Sequence, residues 1–159
     1  MTTTFIDDIN DVLAQWAEGV ISGIRQNLDS TGTTASGRTK ESLRYVVDNG
    51  TLTIFGRPYF RSVEQGRGPG GIPYRFQDII RQWMDDKGIA GKFGETESQK
   101  RSAAYMIGQF IKNNGTKLYR EGGRTDIYSS VISEEMPKLN EMLTASITET
   151  IINDLPKNQ

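Results

Sequence analysis

Leu43-Arg44-Tyr45-Val46-Val47-Asp48-Asn49-Gly50-Thr51-Leu52-Thr53-Ile54-Phe55 is the stretch that decides the fold. Asp48-Asn49-Gly50-Thr51 reads as a two-residue type I′ hairpin turn, because Asn-Gly readily takes φ > 0 at both central positions. That turn sets the register, with Val47 opposite Leu52 and Tyr45 opposite Ile54. Leu43, Tyr45, Val47, Leu52 and Ile54 then share one wholly apolar face. A slipped register would scatter them. Arg44, Val46, Asp48, Thr51, Thr53 and Phe55 share the other, mixed face. Two strands alone are marginal in water. The hairpin must therefore pack on another element or gain a strand, for which Arg61-Ser62-Val63-Glu64 is the candidate.

The partner is expected upstream. From Thr4 to Leu28, Phe5, Ile9, Val12, Leu13, Trp16, Val20, Ile24 and Leu28 recur at spacings of three and four, the signature of an amphipathic helix. Thr4 is placed to cap it, with Asp7, Asp8 and Asp11 toward the positive end of its dipole. Gly19 and Gly23, four apart, mark a close helix contact or a weak spot. Residues 29–37 hold no apolar side chain larger than alanine and read as a flexible linker.

Downstream of the hairpin runs Gly56-Arg57-Pro58-Tyr59-Phe60-Arg61-Ser62-Val63-Glu64-Gln65-Gly66-Arg67-Gly68-Pro69-Gly70-Gly71. Five glycines and two prolines in sixteen positions suit neither a helix nor a regular strand. The aromatics and arginines make an idle linker a poor reading, and loops on rigid scaffolds are where binding sits. Loop 56–73 is therefore the expected contact loop. Helices follow over Tyr74–Asp86, with Phe76, Ile79, Ile80 and Trp83 inward, and over Glu97–Asn113, with Ala103, Ala104, Ile107 and Phe110/Ile111 inward. Both Trp16 and Trp83 read as core. Residues 114–133 form a long irregular loop, and a last helix spans 134–154 with Met136, Leu139, Leu143, Ile147 and Ile151 on its stripe, stopped by Pro156. The expectation is one α+β domain over 1–159: a long N-terminal helix packed on a small antiparallel sheet, two further helices and a C-terminal helix.

Composition narrows the chemistry. Net charge is −1, so no global basic field draws in nucleic acid. Histidine and cysteine are both absent, which removes the commonest general base, the commonest zinc ligands and thiolate catalysis. No carboxylate pair has metal-ligand spacing. The expectation is no enzyme, no cofactor and no metal. No apolar run approaches a membrane span. The N-terminus lacks the basic and apolar regions of a signal peptide, so synthesis in a cytoplasm is expected.

Gly66-Arg67-Gly68-Pro69-Gly70-Gly71 contains the spacing Gly-x-Gly-x-x-Gly. A dinucleotide cradle needs a strand before it and a helix N-terminus after it. Gln65 precedes and Ile72-Pro73 follows, so a backbone bend is the better reading. Arg57, Arg61, Arg67, Arg75 and Arg81 form a local basic cluster over 57–81, while Asp126, Glu134, Glu135, Glu141, Glu149 and Asp154 make the last third acidic. Such segregation suits head-to-tail self-association; two solvated faces would read the same way. A small nucleic-acid-binding protein using the arginine cluster is the alternative.

The order of these elements, with Gly37-Arg38-Thr39-Lys40-Glu41-Ser42 before the hairpin and Tyr59-Phe60-Arg61-Ser62-Val63-Glu64-Gln65-Gly66 after it, resembles the tail-completion or head–tail connector (neck) proteins of tailed bacteriophages. Members carry Gly-x-Leu-x-x-Ser before the hairpin and Tyr-Ala-x-x-Val-Glu-x-Gly after it. This chain departs in having Thr39 for the leucine and Phe60 for the small residue. The resemblance implies a subunit of a six- or twelve-copy ring in the virion neck, between a portal-side connector protein and a tail protein, around the DNA channel and without catalysis. Arg57, Tyr59, Phe60, Arg61, Val63, Glu64 and Arg67 are the expected subunit-interface residues. The Val-Glu-x-Gly element is expected to place Glu64 near an arginine.

Overall fold

A computed structural model of the chain describes residues 2–154 and has the α+β architecture expected. Helix α1 (Thr2–Ser30) is followed by a turn, α2 (Arg38–Glu41), and the hairpin β1 (Arg44–Asp48) and β2 (Thr51–Phe55). Then come α3 (Ser62–Gln65), α4 (Phe76–Asp86), a 3-10 turn (Ala90–Phe93), α5 (Glu97–Asn114), α6 (Lys117–Arg120) and α7 (Ser129–Asp154). Val47 pairs with Leu52 and Tyr45 with Ile54, the register the turn dictates. Asn49 and Gly50 both have positive φ, at 46° and 74°. The expected third strand at Arg61–Glu64 is instead the helical turn α3, so the sheet stays two-stranded.

Two apolar clusters organise the molecule. In the first, Trp16, Val20, Ile21, Ile24 and Leu28 of α1 meet Leu43, Ile127 and Val131, with Tyr45, Leu52 and Ile54 of the hairpin packed against them. α1 therefore lies between the hairpin and α7. Gly23 lets α7 pack closely: a Cβ there would stand 2.9 Å from Val131, whereas Gly19 faces open space. Trp16 Nε1 donates to the Glu135 carbonyl at 2.8 Å, two residues before Pro137, which interrupts the α7 backbone ladder. In the second cluster, Ile80 and Met84 of α4 pack on Ala103 and Ala104 of α5, with Ala90 beneath. A capping box at Thr96 and Gln99 starts α5.

Several expectations shift. α1 begins at Thr2, so Asp7, Asp8 and Asp11 sit beyond the first turn, where the dipole has little effect. The side chain of Thr4, expected as the cap, and Pro156, expected as the stop of α7, fall outside the described set. The segment expected as a linker folds back on the end of α1. The N–H groups of Thr33 and Thr34 both donate to the Leu28 carbonyl, and Lys87 Nζ bonds the Gly32 and Thr34 carbonyls. The long irregular loop contains α6, and α7 starts at Ser129, ahead of the expected 134. Trp83 is not core: it is 39% exposed and Ile79 is 52% exposed, while Met84 takes the buried place. Among the described residues no helix is long and apolar enough to cross a membrane.

Candidate interaction site

The Gly56–Gly71 segment is anchored from the inside. Phe60 and Val63 pack against the first cluster, and the Phe60 ring lies 5.6 Å from that of Tyr128. Glu64 is the one charged side chain that is buried among the described residues, at 2% exposure. Its Oε1 accepts from the backbone N–H groups of Ile127 (3.0 Å), Tyr128 (2.7 Å) and Ser129 (2.9 Å). Its Oε2 accepts from the Ser129 hydroxyl at 2.5 Å.

Those N–H groups open α7 and have no acceptor within the helix. A carboxylate there satisfies them and complements the positive end of the helix dipole. Burial pushes the Glu64 carboxyl up, but the Ser129 hydroxyl and the three N–H groups outweigh it and hold it below its ordinary value of 4.5. The Glu64 carbonyl also accepts from Arg124 N–H at 2.8 Å. An arginine does lie near Glu64, as expected, since Arg124 feels its carboxylate, but the hydrogen bonds of the Glu64 side chain go to a helix N-terminus. Arg124 turns its guanidinium to Asp126.

The glycines serve a close approach of two backbones. Gly66 has φ 69°, and a Cβ on it would stand 2.3 Å from the Tyr119 nitrogen. Gly115 has φ 76°, and a Cβ there would stand 2.8 Å from the Arg67 carbonyl oxygen. Between them Thr116 N–H donates to the Arg67 carbonyl (2.8 Å) and Arg67 N–H to the Thr116 hydroxyl (3.0 Å). Gly66 and Gly68 of the Gly-x-Gly-x-x-Gly spacing serve this crossing, whereas Gly71 faces open space, and the Arg67 N–H, which a phosphate cradle would use, is occupied.

What faces outward is a cleft of about 550 Å³ between this segment, the 33–40 turn and α4. Tyr59, Val63, Phe76, Ile79 and Trp83 give it an apolar lining, and Arg57 and Arg67 border it. Tyr59 is 50% exposed. Arg57 lies over its ring at 5.8 Å and donates to its hydroxyl at 2.9 Å. Arg67 lies over Phe76 at 5.3 Å and bonds the Gly71 carbonyl. Arg61 is exposed and bonds Gln65. Arg38 on the rim pairs with Asp86 at 3.2 Å.

The seven expected interface residues therefore divide by position. Arg57, Tyr59, Arg61 and Arg67 reach the surface or the cleft, Phe60 and Glu64 hold the segment in place, and Val63 does both. The basic cluster divides too. Arg75 pairs with Asp78, and Arg81 with Asp85 and Glu97, whereas none of the described ion pairs involves Arg57, Arg61 or Arg67. Hydrogen bonds to Glu97 and Asp85 raise the Arg81 pKa further. Among the described residues no group of three His, Cys, Asp or Glu side chains stands where it could hold a metal ion. The cleft offers apolar area, hydroxyls and cations.

Ile79 and Trp83 were missed as surface residues. The apolar stripe of α4 is wider than the α5 face covers: Ile80 and Met84 meet Ala103, Ala104, Ile107 and Ile111, while Ile79 and Trp83 stay exposed. That mismatch was the one available signal. Comparisons of the chain with protein-family models, with curated proteins and with solved structures give no match.

Proposed function

We propose that the chain is a structural subunit of a ring at the head–tail junction of a tailed bacteriophage, joining portal-side and tail-side proteins around the DNA channel. The observation that carries this reading is the Gly56–Gly71 segment. It is locked to α7 from within by Glu64, and it presents Tyr59, Arg57 and the exposed α4 face outward as a preformed protein-binding cleft. The likeness of Tyr59–Gly68 to the connector-protein motif supports the same assignment. So does the surface area. The chain exposes 10592 Å², about a third more than the ~8,000 Å² of a compact monomer of its mass. Surface in such excess suits a subunit that completes its burial by assembly.

Light scattering on the purified chain, alone and mixed with its portal-side neighbour, tests the reading. A mass of six or twelve times 17.8 kDa is expected in at least one condition. A strict monomer in both, or absence of the chain from purified virions by mass spectrometry, overturns it. The nucleic-acid alternative loses support from the pairing of Arg75 and Arg81 with carboxylates. Its own signature is DNA retention that falls steeply with salt.

A further inference from the structure

We propose that the cleft beside Gly56–Gly71 receives the far end of the α1–α7 pair of a second copy of this chain, so that subunits join head to tail; this rests on the ring reading above. The cleft is apolar on its floor, with Ile79 and Trp83 exposed. Its bordering Arg57 and Arg67 take part in none of the described ion pairs. The fitting occupant is an apolar surface flanked by carboxylates.

One end of this chain has that chemistry. Where α1 begins and α7 ends, Ile152 is 62% exposed and Ile151 stands exposed beside it. Asp8, Asp11 and Glu149 line a groove at the same end. The Thr150 hydroxyl donates to Asp8 Oδ2 at 3.0 Å and ties the two helices there. None of the described ion pairs uses Asp8, Asp11 or Glu149. Among the described residues neither set of charges is paired, and the two signs are opposite.

Geometry excludes a contact within one chain. The cleft touches Leu28 at the other end of α1. Asp8 and Leu28 are twenty residues apart on one helix, about 30 Å at ~1.5 Å per residue. Two different, complementary patches at opposite ends of a rigid rod make a heterologous contact. Such contacts close into a ring when the rotation per subunit permits. A two-fold contact of end against end would set carboxylates against carboxylates. The surface in excess of a compact monomer, roughly 2,600 Å², leaves room for two patches of ~800 Å² each.

Two full-length variants test the pairing. The end variant carries Ile151→Asp with Ile152→Asp, and the cleft variant carries Arg57→Glu with Ile79→Glu. All four positions lie on the surface or the cleft lining, and circular dichroism with thermal melts checks that both fold. Each alone is expected to stay monomeric. Their mixture is expected to give a heterodimer of twice 17.8 kDa and nothing larger, because only one intact cleft and one intact end remain. A second measurement uses the cysteine-free background. Ile152→Cys and Ile79→Cys copies, mixed and oxidised, are expected to cross-link to each other. If the wild type assembles and both variants assemble as well as it does, this pairing is overturned and the ring reading stands. Wild-type assembly with a mixture that stays monomeric and uncross-linked overturns it equally. A wild type that is monomeric both alone and with its portal-side neighbour removes the ring reading, and this inference with it.

Discussion

Replacing Glu64 with alanine strips the acceptor from three backbone N–H groups and one hydroxyl at the start of α7. Each hydrogen bond to a charged group contributes about 1.5–3 kcal/mol. Four simple losses overstate the cost, because Tyr128 and Ser129 are only half-buried and water can reach part of the vacated site. The Ile127 N–H, on a residue with no exposure, keeps its full penalty. A loss of about 3–5 kcal/mol follows, the scale seen when one partner of a buried charged contact is removed. Against a domain stability of ~5–15 kcal/mol this is a large fraction.

Glu64→Gln keeps a neutral acceptor of the same shape and should cost about 1–2 kcal/mol. Urea unfolding reads both. With a slope of ~2 kcal/mol per M, the alanine midpoint should fall by about 2 M. The carboxyl is held below 4.5 in the folded chain, so its contribution is full above the unfolded value and fades as pH falls through the folded one. The gap between wild type and Glu64→Gln should therefore narrow in acid. An alanine variant within about 1 kcal/mol of wild type at neutral pH, or a gap that stays constant into acid, would refute the capping account.

Gly66→Ala puts a Cβ 2.3 Å from the Tyr119 nitrogen at φ 69°. It should lower stability by more than about 2 kcal/mol, and an unchanged melting midpoint would count against the backbone crossing. Met84→Ala should cost about 2–5 kcal/mol from a side chain with no exposure, and Trp83→Ala less, since Trp83 is 39% exposed; denaturant titrations giving the reverse order would mean that α4 is rotated. Tyr59→Ala should leave the melt nearly unchanged and weaken self-association. Phe60→Ala should lower the melt by about 2–4 kcal/mol, since its ring packs on Tyr128. Equal melts for the two variants would erase that division of labour.

The hairpin, its register and the helices were legible in the sequence because they depend on local rules, although Phe110, Met136 and Ile151, expected on inward stripes, are exposed. Asn49-Gly50 selects its turn by φ preference, and periods of two and 3.6 mark which positions share a face. These rules say which residues line up and not what they line up against. Phe76, Ile79, Ile80, Trp83 and Met84 form one broad stripe, and only the placement of α5 against α4 decides that Met84 goes in and Trp83 stays out. Glu64 reads locally as one more charge in a loop. Its partners lie 63 to 65 residues away, and α7 can start at Ser129 because that distant carboxylate takes its first N–H groups. The tertiary structure also gave Gly66 and Gly68 their use, since no local pattern announces that Tyr119 will pass within contact distance of them. Backbone preference along the chain is written residue by residue; satisfaction of buried charge and close approach between segments exist only once the chain has folded.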